Sequence, residues 1–167
     1  MLLLTVDEKK QVRDIFTAAF HDSHPEVQVL AQAGMVIYLL GKPMGEIEKL
    51  AGAYEKNCTV LADRERRRKK AAGESGSVAA PDKNHVVTVM MASCLILSFP
   101  YDVPSFVPSL LVALIRHATN THLKATVVKC VQDFKRTHQD RWAEFKTKFS
   151  SMQLEDLQGA GAATYFS

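Results

Sequence analysis

The segment KNHVVTVMMASCLILS, from Lys83 to Ser98, carries the strongest structural signal in the chain. Its apolar residues would occupy almost every side of a helix, and a helix of that kind is buried rather than amphipathic. Asp82 comes just before it and has a side chain suited to capping the first helical turn. We therefore expect a central buried helix with other helices packed around it.

Three amphipathic helices are predicted before this segment. Thr5 and Glu8 have the spacing of a capping box, which indicates the start of the first helix. Pro25 suits the first turn of the second helix, and Gly41 suits its end. The third helix is expected to begin near Pro43, because the following residues form one apolar stripe: Met44, Ile47, Ala51, Tyr54, Cys58 and Leu61.

Further helices are predicted after the central one. The prolines of Phe99–Pro104 (FPYDVP) interrupt the helical pattern, because proline removes a backbone donor and disfavours helix in the residue before it. Apolar periodicity then predicts helices over residues 105–118, 121–137, 140–149 and 152–158. No run alternates with period two, so no strand is expected. The sequence thus predicts an all-α fold.

A weak internal repeat indicates how these helices are arranged. Five positions of the second helix recur at the same spacing in the sixth: Val27, Ala31, Gly34, Met35 and Tyr38 match Leu123, Val127, Cys130, Val131 and Phe134. Such pairs predict HEAT-like antiparallel helical repeats, here the end piece of an α-solenoid. We expect a helical domain over residues 1–158, with a flexible basic and small-residue loop near 64–82, and a flexible tail over 159–167.

The tail is the sharpest candidate for binding. A run of glycine, alanine and threonine leads to Tyr165, Phe166 and Ser167. Two aromatic side chains at a mobile chain end favour burial in a partner, and capture of a terminal carboxylate is a known recognition mode. The alternative is that the tail folds back onto its own domain. The sequence leaves both interpretations open.

Positive charge is concentrated in one segment. The chain has a net charge of +3, yet residues 64–70 hold six basic side chains and one acidic one, so the remainder is mildly acidic. This differs from the distributed basic face of a nucleic-acid-binding domain, and no direct nucleic-acid contact is expected. The basic residues are a candidate nuclear-import or anion-binding patch, or simply a solvated helix end: Arg64, Arg66, Arg67, Arg68, Lys69 and Lys70.

No catalytic or metal motif is found. His21 and His24 flank Asp22, but a capped turn explains them better than a metal site. Acidic residues after His138 occur where a helix begins and suit its dipole. Since no phosphate loop, nucleophile elbow or HExxH helix is present, we expect neither an enzyme nor a bound cofactor.

The cysteines and the hydropathy indicate an intracellular protein. Cys58, Cys94 and Cys130 form no CxxC pair, so we expect three reduced thiols in helix cores. No apolar run approaches the roughly 20 residues of a membrane helix, and no membrane contact is expected.

Several stretches of the second half closely resemble the C-terminal region of the proteasome activator complex subunit 4 family. These are Ser98–Pro104 (SFPYDVP), Asp133–Trp142 (DFKRTHQDRW), Phe145–Phe149 (FKTKF) and Gln153–Leu154. The family also has a basic loop where residues 64–70 stand. The resemblance implies a fragment of a far longer, non-catalytic activator, whose HEAT-like repeats form a dome on the core proteasome in the nucleus and cytoplasm.

The resemblance also implies a role for the tail. Members end in a hydrophobic residue, a tyrosine and any residue, which enter a pocket between two α-ring subunits and help open the gate. Carried over by position, Tyr165 is the hydrophobic residue, Phe166 takes the tyrosine place and Ser167 supplies the carboxylate. Phe166 lacks the hydroxyl, so a hydrogen bond worth about 0.5–1.5 kcal/mol would be missing.

Two further properties are implied by the resemblance. The family is linked to acetylated histones, and hence to DNA repair, through bromodomain-like helices, which makes an acetyl-lysine recognition module the alternative function. Asn57 and Asn84 lie in the vicinity of that region, and neither matches a bromodomain pattern. Inositol phosphates bind basic openings of the family's dome, and the basic run is a possible, unassigned contributor.

Overall fold

The computed structural model describes residues 5–73 and 80–162, and it contains helices and no strand within those ranges. The helices are α1 (Val6–Ala19), α2 (Pro25–Leu40), α3 (Met44–Ala72), α4 (Lys83–Leu97), α5 (Val107–Ile115), α6 (Lys124–His138), α7 (Trp142–Phe145) and α8 (Ser151–Ala162). Short 3-10 turns occupy Arg116–Thr119, Gln139–Arg141 and Lys146–Lys148. The all-α prediction is confirmed. In the described ranges, no helix is both long enough and apolar enough to cross a bilayer.

Helix α4 is the centre of the fold, as its composition predicts. It packs against α2, α3, α5 and α6, and it is surrounded by them because it has no polar side to expose. Its buried residues run without interruption from Thr88 to Ile96. Asp82 caps it as expected, since its Oδ1 accepts a hydrogen bond from the His85 amide at 2.8 Å.

The first helix starts at the predicted capping box. The Thr5 amide donates to Glu8 Oε2 at 2.7 Å, and the Glu8 amide donates to Thr5 Oγ1 at 3.3 Å. These bonds satisfy two amides that the first turn of a helix leaves without partners. Helix α1 then packs against α2, where the ring of Phe16 lies directly over Gly34.

The prediction of a flexible loop near 64–82 is wrong for residues 64–72. Helix α3 continues to Ala72, so the basic residues lie on its last turns. Arginine, lysine, glutamate and alanine are strong helix formers, and Lys69 pairs with Glu65 one turn earlier at 3.3 Å. Gly73, with φ of 69°, ends the helix. Residues 74–79, the rest of the predicted loop, lie outside the described ranges.

The predicted start of the flexible tail at residue 159 is also wrong. Helix α8 runs on through Gly159 to Ala162. Leu154, Leu157 and Ala160 pack against the core at helical spacing, and this burial outweighs the poor helix propensity of glycine. The predicted helix over 140–149 is instead broken into 3-10 and α turns, which bring Phe145 and Phe149 into the core.

Several large apolar side chains of α1 and α2 are exposed, among them Ile15 at 64%, Leu30 at 71% and Ile37 at 70%. Exposed apolar side chains on neighbouring helices are typical of a surface that packs on another element. A further helix pair of a helical stack is one such element.

Candidate functional site

The predicted docking residues Tyr165, Phe166 and Ser167 lie outside the described residues. The structure does describe the helix that leads to them. Helix α8 packs against α5 and α6 and buries Leu157 to 2% exposure. The Lys135 ammonium donates to the Leu157 carbonyl at 2.9 Å, which fixes the last turns of α8 to α6.

A groove lies beside α8, between it and α6–α7. Its lining combines cations with apolar surface: Lys135, Arg136, Lys146, Trp142, Leu154 and Leu157. Burial lowers the pKa of Lys135 below its usual range, because the ammonium is removed from water. An aromatic side chain and a carboxylate are the groups that such a groove would accept. The sequence gives no signal for it, since these lining residues come from four separate elements: α6, α7, the Lys146–Lys148 turn and α8.

The Phe99–Pro104 loop is bound to the segment that follows α6. Arg141 Nη1 donates to the Tyr101 carbonyl at 3.3 Å. Lys148 Nζ donates to Asp102 Oδ1 and to the Val103 carbonyl, both at 2.9 Å. The hydrogen bond from Lys148 lowers the pKa of Asp102. The stretches that carry the family resemblance therefore meet in space and hold one another in place.

The residues considered for acid–base chemistry do not converge. His138 is 2% exposed and its ring nitrogens face backbone carbonyls. Asp140 is exposed, and Glu144 forms an ion pair with Arg141 at 2.7 Å. The exposed side chain of His24 bonds only to its neighbours Asp22 and Ser23 among the described residues. His138, Glu144 and His24 thus have structural partners.

The basic residues differ in how freely they are presented. Lys69 donates to the Thr119 carbonyl at 2.8 Å and is held against the body of the protein. Arg66 lies 3.7 Å from Asp63. The other four are exposed, and their side chains form no ion pair or hydrogen bond within residues 5–73 and 80–162: Arg64, Arg67, Arg68 and Lys70.

Comparison with known proteins gives the family. Residues 83–167 match the sequence model of the family described as "Proteasome activator complex subunit 4-like, C-terminal". The chain belongs to this family.

Individual proteasome activator subunits match over nearly the whole chain. Proteasome activator complex subunit 4A of Danio rerio is 32% identical over 145 residues, which are 86% of this chain and 8% of that protein. Proteasome activator subunit 4 of Arabidopsis thaliana is 31% identical over 166 residues, 98% of this chain and 9% of that protein. Proteasome activator complex subunit 4 of Homo sapiens is 29% identical over 150 residues, 89% of this chain and 8% of that protein. The chain thus spans less than a tenth of these relatives.

The proteasome activator family match covers the parts of the fold that bear on the tail. It begins at the first residue of α4 and includes the Phe99–Pro104 loop, the groove and α8. The relatives also match before residue 83, since the Arabidopsis thaliana alignment spans 166 residues. The resemblance inferred from the sequence is confirmed.

Proposed function

We propose that this chain is the C-terminal portion of a non-catalytic proteasome activator, which docks on the α-ring of the core proteasome through Tyr165, Phe166 and Ser167 and regulates gate opening. The observation that carries the proposal is the family match, which extends through residue 167. The exposed apolar surface of α1 and α2 supports the view that further helical repeats pack on this piece.

The anchoring of α8 limits where the tail can act. Five residues, 163–167, separate the end of α8 from Ser167. Fully extended, they reach at most about 17 Å. Docking therefore requires the end of α8 to lie close to the α-ring surface, and the bond between Lys135 and Leu157 holds that end in place.

Phenylalanine instead of tyrosine at position 166 should affect gate opening more than binding. The carboxylate of Ser167 and the apolar rings of Tyr165 and Phe166 can pair and pack without a hydroxyl group. A hydrogen bond that a tyrosine would make at position 166 is absent, at a cost of about 0.5–1.5 kcal/mol. We expect binding to survive and gate opening to be weaker than with tyrosine.

The test is binding of the chain to purified core proteasome, with peptidase activity measured alongside. Removal of Tyr165–Ser167 should abolish binding, and Phe166→Tyr should raise peptidase stimulation. Tyr101→Ala is the matched control, because Tyr101 is an aromatic side chain, 81% exposed, remote in sequence from the tail. One tail lacks the avidity of a complete activator, so the assay uses high chain concentrations. Equal binding with and without the tail would refute docking through it.

The groove beside α8 is where the tail would bind if it folded back onto its own domain. If the tail folds back, its aromatics would meet Trp142 and its carboxylate would meet Lys146. Lys146→Glu should then release the tail, seen as an increased rate of carboxypeptidase trimming. Docking on the proteasome predicts no change in trimming of the free chain.

We also propose that the exposed basic residues provide an anion-binding or nuclear-import surface, with an inositol phosphate as the anion. Support comes from the four exposed cations towards the end of α3, which form no ion pair with the residues that the structure describes. Combined Arg67→Ala and Arg68→Ala should weaken inositol hexakisphosphate binding and nuclear accumulation of a fusion protein. Arg13→Ala, at a cation outside the run, serves as the control. Unchanged binding and localisation would show that the basic residues are only the solvated end of α3.

No observation favours the acetyl-lysine alternative. Asn57 and Asn84 are both exposed on helices. Neither lines the groove beside α8, nor two further grooves between described helices. An amide that holds an acetyl group needs an enclosing apolar pocket.

A further inference from the structure

Two histidines and a glutamate from separate elements meet where α3, α4 and the Arg116–Thr119 turn pack together. His85 Nε2 lies 2.8 Å from His117 Nδ1. His85 and His117 are 7% and 0% exposed, and the side chain of Glu65 is 15% exposed. One ligand atom from each residue lies within 4.8 Å of the other two.

The surroundings fix the tautomer of His117. Its Nε2 lies 3.0 Å from the Cys58 carbonyl, which can only accept, so Nε2 carries the proton. The Nδ1 lone pair of neutral His117 therefore points into the cluster and accepts from His85 Nε2. A histidine that binds a metal commonly donates its other ring N–H to a carbonyl in this way.

Glu65 is oriented by a buried amide. Asn120, 2% exposed, donates from Nδ2 to Glu65 Oε1 at 3.0 Å. The Asn120 amide oxygen accepts from the His122 backbone at 3.0 Å, which sets the direction of the Nδ2 group. Carboxylates that bind metals are held by such hydrogen bonds.

We propose that Glu65, His85 and His117 form a binding site for a divalent first-row transition metal ion. Two imidazoles and one carboxylate suit borderline ions such as Zn²⁺ better than Ca²⁺ or Mg²⁺, which prefer oxygen ligands. Glu65 Oε, His85 Nε2 and His117 Nδ1 are the three protein ligands, and water completes the coordination.

Binding requires small changes at both histidines and at Glu65. The proton on His85 Nε2 moves to Nδ1, so that the Nε2 lone pair faces the ion. The two nitrogens, 2.8 Å apart, separate to about 3.3 Å, the spacing of two ligands at about 2.0–2.1 Å from a tetrahedral ion. Both rings stay neutral.

Neighbouring cations oppose the binding of a metal ion at this site. Lys69 lies 3.3 Å from Glu65 Oε1 and must yield this contact to the ion, while its bond to the Thr119 carbonyl can remain. Arg64 and Arg68 also contribute positive potential at His85. A bound ion would then tie the basic end of α3 to α4 and to the Arg116–Thr119 turn.

The test is calorimetric titration of the complete chain with Zn²⁺, repeated with Co²⁺ to observe the visible absorption of a tetrahedral site. We expect one saturable Zn²⁺ per chain. Glu65→Gln and His85→Gln should each weaken binding by more than about 10-fold, because each removes a ligand and the loss of an outer hydrogen-bonding partner alone typically costs about 10–100-fold. Both replacements keep a hydrogen-bonding group, and circular dichroism checks that they fold.

His24→Gln is the control, because His24 and Asp22 are an exposed pair that could bind zinc weakly. It should leave the affinity unchanged. The proposal is overturned if the wild-type chain shows no saturable binding, if folded Glu65→Gln and His85→Gln variants bind as tightly as wild type, or if His24→Gln abolishes binding. None of these outcomes depends on contact with the proteasome.

Discussion

His138 Nε2 lies 3.0 Å from the carbonyl oxygen of Phe99, a residue 39 positions earlier in the chain. The same nitrogen lies 3.1 Å from the Asp102 carbonyl. Both carbonyls can only accept, so a hydrogen bond to either one needs the proton on Nε2. The end of α6 is thereby joined to the loop between α4 and α5, with the ring stacked on Phe134 at 4.3 Å.

Replacing His138 should destabilise the fold. In His138→Ala, two loop carbonyls lose a buried donor and the aromatic cluster loses a ring, so we expect a loss of about 2–4 kcal/mol in the free energy of unfolding. Urea unfolding followed by tryptophan fluorescence measures it. His122→Ala, at an exposed histidine, should change stability by less than about 0.5 kcal/mol. Equal stability of both variants would show that the bonds to the loop contribute nothing.

Two glycines in helices should respond oppositely to alanine. A Cβ at Gly34 would overlap the Phe16 ring, so Gly34→Ala must push α1 from α2 or move the ring. We expect a loss of about 1–3 kcal/mol. Gly52 has open space around it, and Gly52→Ala should gain about 0.5–1 kcal/mol from helix propensity. Thermal unfolding of both variants measures these changes in stability. A stabilised Gly34→Ala would disprove the close packing of α1 on α2.

Stability of the metal-free chain should fall with acidification. Burial lowers the pKa of His117 to about 4, while the unfolded group titrates near 6.5. The unfolded state therefore takes up the proton first, and stability declines as pH falls from about 6.5 to about 4. The full loss is on the order of 3 kcal/mol, of which on the order of 2 kcal/mol falls between pH 7 and pH 5. Urea titrations in EDTA at pH 7 and pH 5 measure this part, and His117→Gln should flatten the dependence. If the stability of His117→Gln depends on pH as steeply as that of the wild type, titratable groups other than His117 cause the effect.

The three thiols should be inert in the folded protein. Burial raises the pKa values of Cys58 and Cys130 to about 12 and also raises the pKa of Cys94. The thiolate is the reactive form, so native protein at pH 7.5 should react with a maleimide only as fast as it opens. Mass spectrometry in native buffer and in urea counts the labelled cysteines. Rapid labelling of the native chain would contradict the burial of these side chains.

Features encoded within a few residues were predictable from the sequence. The capping box at Thr5 and Glu8, the break at Phe99–Pro104 and the buried helix from Lys83 all occur where their local patterns place them. The predicted burial of the cysteines is confirmed as well. The docking tail and the basic patch stay predictions, since the described geometry tests neither.

The features that only the tertiary structure decided depend on contacts between residues far apart in the sequence. Burial of Leu157 and Ala160 extends α8 past its glycine, against local propensity. His85 and His117 are 32 residues apart, and no spacing rule predicts that their nitrogens meet at 2.8 Å. Caps and apolar periods follow from backbone geometry over one or two helical turns, so a sequence displays them directly. A contact between distant helices depends on how every intervening helix packs, and only the folded chain determines it.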